Sequence, residues 1–188
     1  KFVVIAGPGN NGGDGIISHY YLRDYGVKSE LLLFNSKQRQ NWIFNEYDIN
    51  DNSIKYYNDS YEFDPLIWYV DGIFGIGLNR DVGGFYKDVI VKLQACSLII
   101  SIDIPSGIYC DTGLQAGISV QSHFTLTMGH TKLGHYFNDG LKSSMDIHVL
   151  DIGFKSLSNP HRYIQKIEHG DVTYLCPEYS DNIHKYNR

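Results

Sequence analysis

The run Phe2-Val-Val-Ile-Ala6 breaks directly into Gly7-Pro-Gly-Asn-Asn-Gly-Gly-Asp-Gly15, and no other stretch restricts the possible folds so severely. A short, continuous, β-branched apolar run suits a parallel strand buried on both faces. After the glycines, Ile16, Ile17, Tyr20, Tyr21 and Leu22 recur at helical spacing and stop at Gly26, which predicts a helix. Strand, glycine turn and helix open a βα unit. Gly7, Gly9 and Gly12 have the G-x-G-x-x-G spacing, in which missing Cβ atoms let backbone N–H groups approach a pyrophosphate at the helix start. A nucleotide is the expected ligand. Glycine turns also serve simply to reverse a chain, but such a turn has no need of Asn10, Asn11 and Asp14. These residues add oxygens and amides able to meet a cation or a sugar hydroxyl.

The rest of the chain repeats the unit. Val27 to Phe34 reads as a second strand, ending in Asn35 where a dinucleotide dehydrogenase would present an acid to the ribose; hydride transfer therefore loses support. Residues 36 to 65 are polar, with one helix expected over Asn41 to Tyr47 and loop elsewhere. Leu66 to Val70 is a third strand with Asp71 at its carboxyl end, and Gly83 to Cys96 has helical spacing. Leu98 to Ile102 is a fourth strand, followed by Asp103; Phe124 to Met128 and Asp146 to Ile152 complete the set. Ligands of open parallel sheets bind beyond the carboxyl ends of the strands. The glycine turn, Asp71 and Asp103 thus converge on one crevice, although an acid there can also merely cap its turn. Lys132 can contact an anionic ligand or stand solvated, the commoner fate of lysine.

Composition excludes several classes. A net charge of -5 with no basic run speaks against nucleic acid or an anionic membrane surface as partner. No apolar stretch approaches the roughly 18 residues of a spanning helix, and no basic-then-apolar leader opens the chain. The cytoplasm, or else an organelle lumen, is therefore the expected setting; Cys96, Cys110 and Cys176 are widely spaced, so reduced, structural thiols are expected rather than zinc or disulfides. The histidines show no helical i, i+4 pair, and the glycine turn lacks the G-K-[ST] ending of a nucleotide hydrolase.

Gly7-Pro-Gly-Asn-Asn-Gly-Gly-Asp-Gly15, Asp71-Gly-Ile-Phe-Gly75, Ser101-Ile-Asp-Ile-Pro-Ser-Gly107, Thr125-Leu-Thr127 with Lys132, and Asp151-Ile-Gly153 together resemble the NAD(P)H-hydrate epimerase family, the YjeF N-terminal domain. The resemblance covers residues 2 to about 154. It implies a Rossmann-like three-layer α/β/α sandwich with a mostly parallel sheet. The implied activity interconverts the R and S forms of hydrated NADH and NADPH, damaged cofactors bearing a hydroxyl on the nicotinamide ring. By the same resemblance, Asn10, Asn11, Gly12, Gly13 and Asp14 contact substrate. So does the loop Gly75, Ile76, Gly77, Leu78, Asn79, Arg80 and Asp81. Asp103 is the substrate-contacting catalytic acid, and a potassium ion is held by Asn11, Asp71 and Ser106. One carboxylate with an amide oxygen and a hydroxyl is a hard, low-charge set suited to a monovalent ion, whereas a divalent ion attracts more carboxylates. Some domains of this kind act only as interaction scaffolds. The polar residues Asn10, Asn11, Asp14, Asp71 and Asp103 favour catalysis here.

The chain departs from the pattern at His123, where an acid commonly stands, and at Thr131, where a proline is frequent. Family members begin some fifty residues earlier with helices that support the sheet and a homodimer, and these are expected to precede Lys1. On this expectation residues 1–154 form the epimerase domain, with its preceding helices needed to cover the strand Phe2 to Ala6. Residues 155–188 are a linker or tail whose end, Ile183-His-Lys-Tyr-Asn-Arg188, resembles the opening of a fused dehydratase domain.

Overall fold

In the computed structural model the described residues are 1–35, 43, 46–47 and 52–154. Residues 1–154 form one compact unit, and 155–188 lie outside the described residues. Seven strands form one parallel sheet: β1 (Phe2–Ala6), β2 (Ser29–Leu33), β3 (Ile54–Tyr56), β4 (Trp68–Gly72), β5 (Ile99–Ile102), β6 (Ser122–Met128) and β7 (Ser144–Leu150). Their spatial order is β3-β2-β1-β4-β5-β6-β7. The order reverses between β1 and β4, which opens a crevice at their carboxyl ends.

Helix α1 (Asn10–Asp24) covers one face and α2 (Gly84–Leu93) the other. The buried positions of α1 include Gly12, Gly15, Ile16 and His19, spaced for one helical face. Two of these are glycines, so the helix axis comes close to the sheet: a Cβ on Gly15 would touch Val4 at 3.4 Å. The buried face of α2 is Val89, Ile90 and Leu93. His19 is fully buried with its ring nitrogens 2.9 Å from the Ser29 hydroxyl and 3.1 Å from that of Ser53. It ties α1 to β2 and to the approach of β3, a structural role.

The strand Phe2 to Ala6 does not require a preceding helix to cover it. Val3, Val4, Ile5 and Ala6 are all fully buried: Val4 and Ala6 pack with Ile16 of α1, and Val3 and Ile5 with Val89, Ile90 and Leu93 of α2. Alternate residues of an inner strand serve opposite faces, and both covering helices follow the strand in the chain. The incompletely covered apolar surface lies further along, where register aligns Val70, Ile100 and Phe124; Ile100 and Phe124 are only half-buried.

Two readings differ from expectation, and a third falls on residues that are largely not described. β3 falls in the polar stretch read as loop; it has three residues on the sheet edge, two of them exposed, and so carries no buried run to betray it. The helix expected over Asn41 to Tyr47 lies largely outside the described residues. α1 begins at Asn10 rather than after Gly15, so most of the presumed glycine loop is helix. A 3₁₀ turn (Leu133–His135) and a short helix α3 (Gly140–Ser143) connect β6 to β7.

Candidate active site

Asp71 lies near the end of β4 and Asp103 directly follows the neighbouring β5, but the two occupy unlike environments. Asp71 is fully buried, level with Ile5 on β1 and Ser101 on β5. Its Oδ2 accepts from the Ser101 hydroxyl and the Ser106 N–H, both at 2.9 Å. Its Oδ1 accepts from the Ser106 hydroxyl at 2.5 Å and the Ile73 N–H at 3.2 Å. Burial pushes its carboxyl up, and the hydrogen bonds from Ser106, Ile73 and Ser101 oppose that rise. The Asn11 amide reaches the same cluster, donating to the Phe74 carbonyl at 2.9 Å, while the Phe74 N–H donates to Ser106 Oγ at 2.8 Å.

This cluster suits a monovalent cation. Asn11, Asp71, Phe74 and Ser106 supply an amide, one carboxylate, a carbonyl and a hydroxyl joined by direct hydrogen bonds. That is hard oxygen chemistry at a single negative charge. No group of three His, Cys, Asp or Glu side chains that could hold a metal occurs among the described residues.

Asp103 is also largely buried, but it lines the pocket. Its backbone sits at φ 68°, in the left-handed region that aspartate tolerates better than most residues. Its Oδ1 accepts the Met128 N–H at 3.2 Å and is ion-paired with the Lys132 ammonium. Among the described residues no hydrogen bond falls on its Oδ2, and the residue lines the pocket. Lys132 is not a solvated lysine: its side chain is 17% exposed. Its three protons are taken up by Asp103, by Thr127 Oγ1 at 2.8 Å and by the Met128 carbonyl at 3.1 Å. Behind the pair lies His135, fully buried.

The pocket, about 480 Å³, is lined by Asn10, Asn11 and Asp14 of α1, by Ile76 and Gly77, and by Asp103. Met128, His130, Thr131, Lys132, Ile152 and Phe154 close its other side. Asp14 is held above the usual carboxylate range, first by burial and then by the negative charge of Asp103. Gly12 and Gly13 are buried in the first turns of α1. Gly75 packs its Cα against the Asn11 side chain, which a Cβ would meet at 3.2 Å. Of the remaining loop, Leu78 joins the core beneath α2, Asn79 and Arg80 are exposed, and Asp81 accepts from the Tyr109 hydroxyl at 3.1 Å. These four do not line the pocket among the described residues.

The sequence profile of the family described as YjeF-related protein N-terminus matches residues 1–134. The chain belongs to this family. A protein of Levilactobacillus brevis named NAD(P)H-hydrate epimerase is 35% identical over 161 residues, covering 81% of this chain and 73% of that protein. One of Thermofilum pendens, named bifunctional NAD(P)H-hydrate repair enzyme Nnr, is 30% identical over 95% of this chain. The chain spans only 36% of that longer protein. The crystal structure of yeast ynu0, YNL200c, superposes with a TM-score of 0.63 at 21% identity, covering 79% of this chain and 65% of that one; it supports the fold.

In this YjeF-related domain, sequence reasoning singled out Asp103 but left the role of Lys132 open and passed over His130, Ile152, Phe154 and His135. His130 stacks on Phe154 at a ring separation of 6.0 Å, an arrangement that no local spacing announces. His123, the departure noted above, has a structural use: its Nδ1 accepts the Ile99 N–H at 3.2 Å. Cys96 and Cys110 are free thiols. Burial and the neighbouring Asp111 push Cys110 up to about 11, which leaves it a poor nucleophile near neutrality.

His135 gives the site a pH signature. Burial lowers its basicity, with Lys132 adding to the effect and Asp103 opposing it. An unfolded chain takes up that proton near pH 6.5 while the folded one does not, so this group removes stability as pH falls below 6.5. The raised carboxyls of Asp14 and Asp71 act oppositely, gaining stability on protonation. Thermal midpoints between pH 7.5 and 5.5 should therefore fall more steeply for the native chain than for His135→Gln. Parallel profiles would show that His135 titrates normally.

Proposed function

We propose that this chain epimerises the R and S forms of hydrated NADH and NADPH. The observation that carries the reading is the Asp103–Lys132 pair at the wall of the pocket, beside the glycine-rich start of α1, in a family whose relatives bear epimerase names. Epimerisation gains and loses no atoms, so each proton taken from the substrate must be returned. Asp103, which lines the pocket with its Oδ1 paired to the Lys132 ammonium, would take a proton at the hydrated ring and return it. The first-turn amides of α1, which have no side-chain cap, favour the negative charge of the nucleotide's phosphates. Asn10 and Asp14 face the same volume and orient the substrate.

Potassium is part of the proposal. Asn11, Asp71 and Ser106 would hold it, and its charge would offset that of the phosphates while fixing the loop after β4 against α1. A homodimer and work in the cytoplasm accompany this reading, as does a fused dehydratase domain, in keeping with a relative named as bifunctional. Among the described residues, no helix is long and apolar enough to cross a membrane.

The test is to supply either epimer alone and follow its conversion to the mixture, with potassium or a bulky organic cation as the counter-ion. The protein should accelerate conversion, more strongly in potassium, and Asp71→Ala should abolish the difference between salts. No acceleration in either salt overturns the activity; equal acceleration in both overturns the potassium site alone.

A further inference from the structure

The reacting pair is assembled from two strand ends that are distant in the chain: Asp103 follows β5 and Lys132 lies beyond β6, 29 residues away. The backbone of each partner is gripped by one ring. His135 Nδ1 lies 3.2 Å from the Lys132 N, and a backbone N–H can only donate, so Nδ1 is the acceptor. The proton of the neutral ring is therefore on Nε2, which donates to the Asp103 carbonyl at 2.9 Å. The ring is completely buried and both its nitrogens are used. Tyr136 meets it edge-on at 6.3 Å.

We infer that His135 is a positioning residue for the epimerase reaction, setting the distance and orientation between Asp103 and Lys132 through their backbones. The inference rests on the proposed function for its kinetic meaning and on geometry for the rest. Asp103 lies in a left-handed conformation, which persists only where the surroundings hold it. The grip on its carbonyl is one such restraint, and the Met128 N–H on its carboxylate is another. Lys132 begins the 3₁₀ turn that carries His135, so the ring braces the turn from which the ammonium is extended. Protonating the ring would turn the Nδ1 acceptor into a donor facing an N–H, so the brace requires neutral histidine. The groups facing it are Lys132 and Asp103, and burial favours the neutral form.

His135→Ala removes both contacts, whereas His135→Gln can restore a donor toward the Asp103 carbonyl. The alanine variant is expected to lose at least about tenfold in kcat with KM within about twofold, because misplaced reacting groups cost rate more than binding. The glutamine variant should recover a substantial part, which a merely space-filling role would not give. A second readout does not use the reaction: the rate at which an amine-selective acylating reagent modifies Lys132, read by mass spectrometry of the folded protein. It should rise several-fold in His135→Ala as the ion pair loosens, and less in His135→Gln. If the alanine variant does not fold, the glutamine variant should still show a lowered kcat and faster labelling than the native chain. Native kcat with native labelling in either folded variant overturns the inference. A native protein that interconverts no hydrate overturns the proposed function instead, and the labelling result still decides whether His135 sets the pair.

Discussion

Asp103→Asn is expected to fold normally and to slow hydrate interconversion by about 10²- to 10⁴-fold, the range typical of removing a general acid or base. Asparagine is as much at ease as aspartate at φ 68°, so the backbone loses nothing. The amide oxygen can still accept from the Met128 N–H and from Lys132, which now meet Oδ1. What disappears is the carboxylate and, with it, the oxygen proposed to take the proton. The loss should therefore fall on kcat, with KM little changed and the thermal midpoint within a few degrees of native. Asp103→Ala is a harsher change, since it also places a residue ill-suited to the left-handed region there and leaves Lys132 without its charge partner in a largely desolvated site. A near-native rate in the asparagine variant would remove Asp103 from the chemistry.

Gly12→Ala should destabilise the fold by about 3 kcal/mol or more, the upper range for overpacking, although alanine is the better helix former by about 1 kcal/mol. A Cβ at this position would lie 1.8 Å from the Gly7 carbonyl oxygen and 2.6 Å from its carbon. Both are backbone atoms in the turn that joins β1 to α1, and neither can rotate away. Gly7 is equally constrained, its own Cβ falling 1.9 Å from the Ile73 carbonyl oxygen. Gly9 has nothing within 4 Å and an extended backbone at φ -95°, so Gly9→Ala should stay within about 0.5 kcal/mol of native stability. Urea midpoints of the two variants distinguish packing from ligand approach as the reason for the spacing. Equal, native-like stability in both would mean that the glycines serve only the ligand.

That contrast shows how differently the motif reads in one dimension and in three. The spacing Gly7, Gly9, Gly12 points to a turn where backbone comes close to something, and the obvious partner is a phosphate. The folded chain uses Gly7 and Gly12 to bring backbone against backbone, with only Gly9 open. The two readings are compatible, because the close packing of α1 on the sheet is what aims its amino end at the pocket. Asp71 and Asp103 make a second contrast. From sequence they are equivalent acids at strand ends; in the fold one is sealed by four hydrogen bonds and the other lines the pocket with an oxygen unclaimed among the described residues.

The sequence by itself determined the parallel α/β class, most of the inner strands and the edge of the sheet where chemistry gathers. Apolar runs, helical spacing and glycine stops are local consequences of burial and backbone sterics, and can be read without knowing what covers what. It also determined the family, because the loop and Asp103-Ile-Pro-Ser-Gly107 are contiguous. Only the tertiary structure decided that Lys132 is paired, that His135 grips two backbones 32 and 3 residues away in the chain, and that β3 is a strand. Contacts across that many residues depend on which strands become neighbours and how far the connecting turns reach. Hydrophobic periodicity carries no record of either, since it reports which side of an element is covered and not by which group.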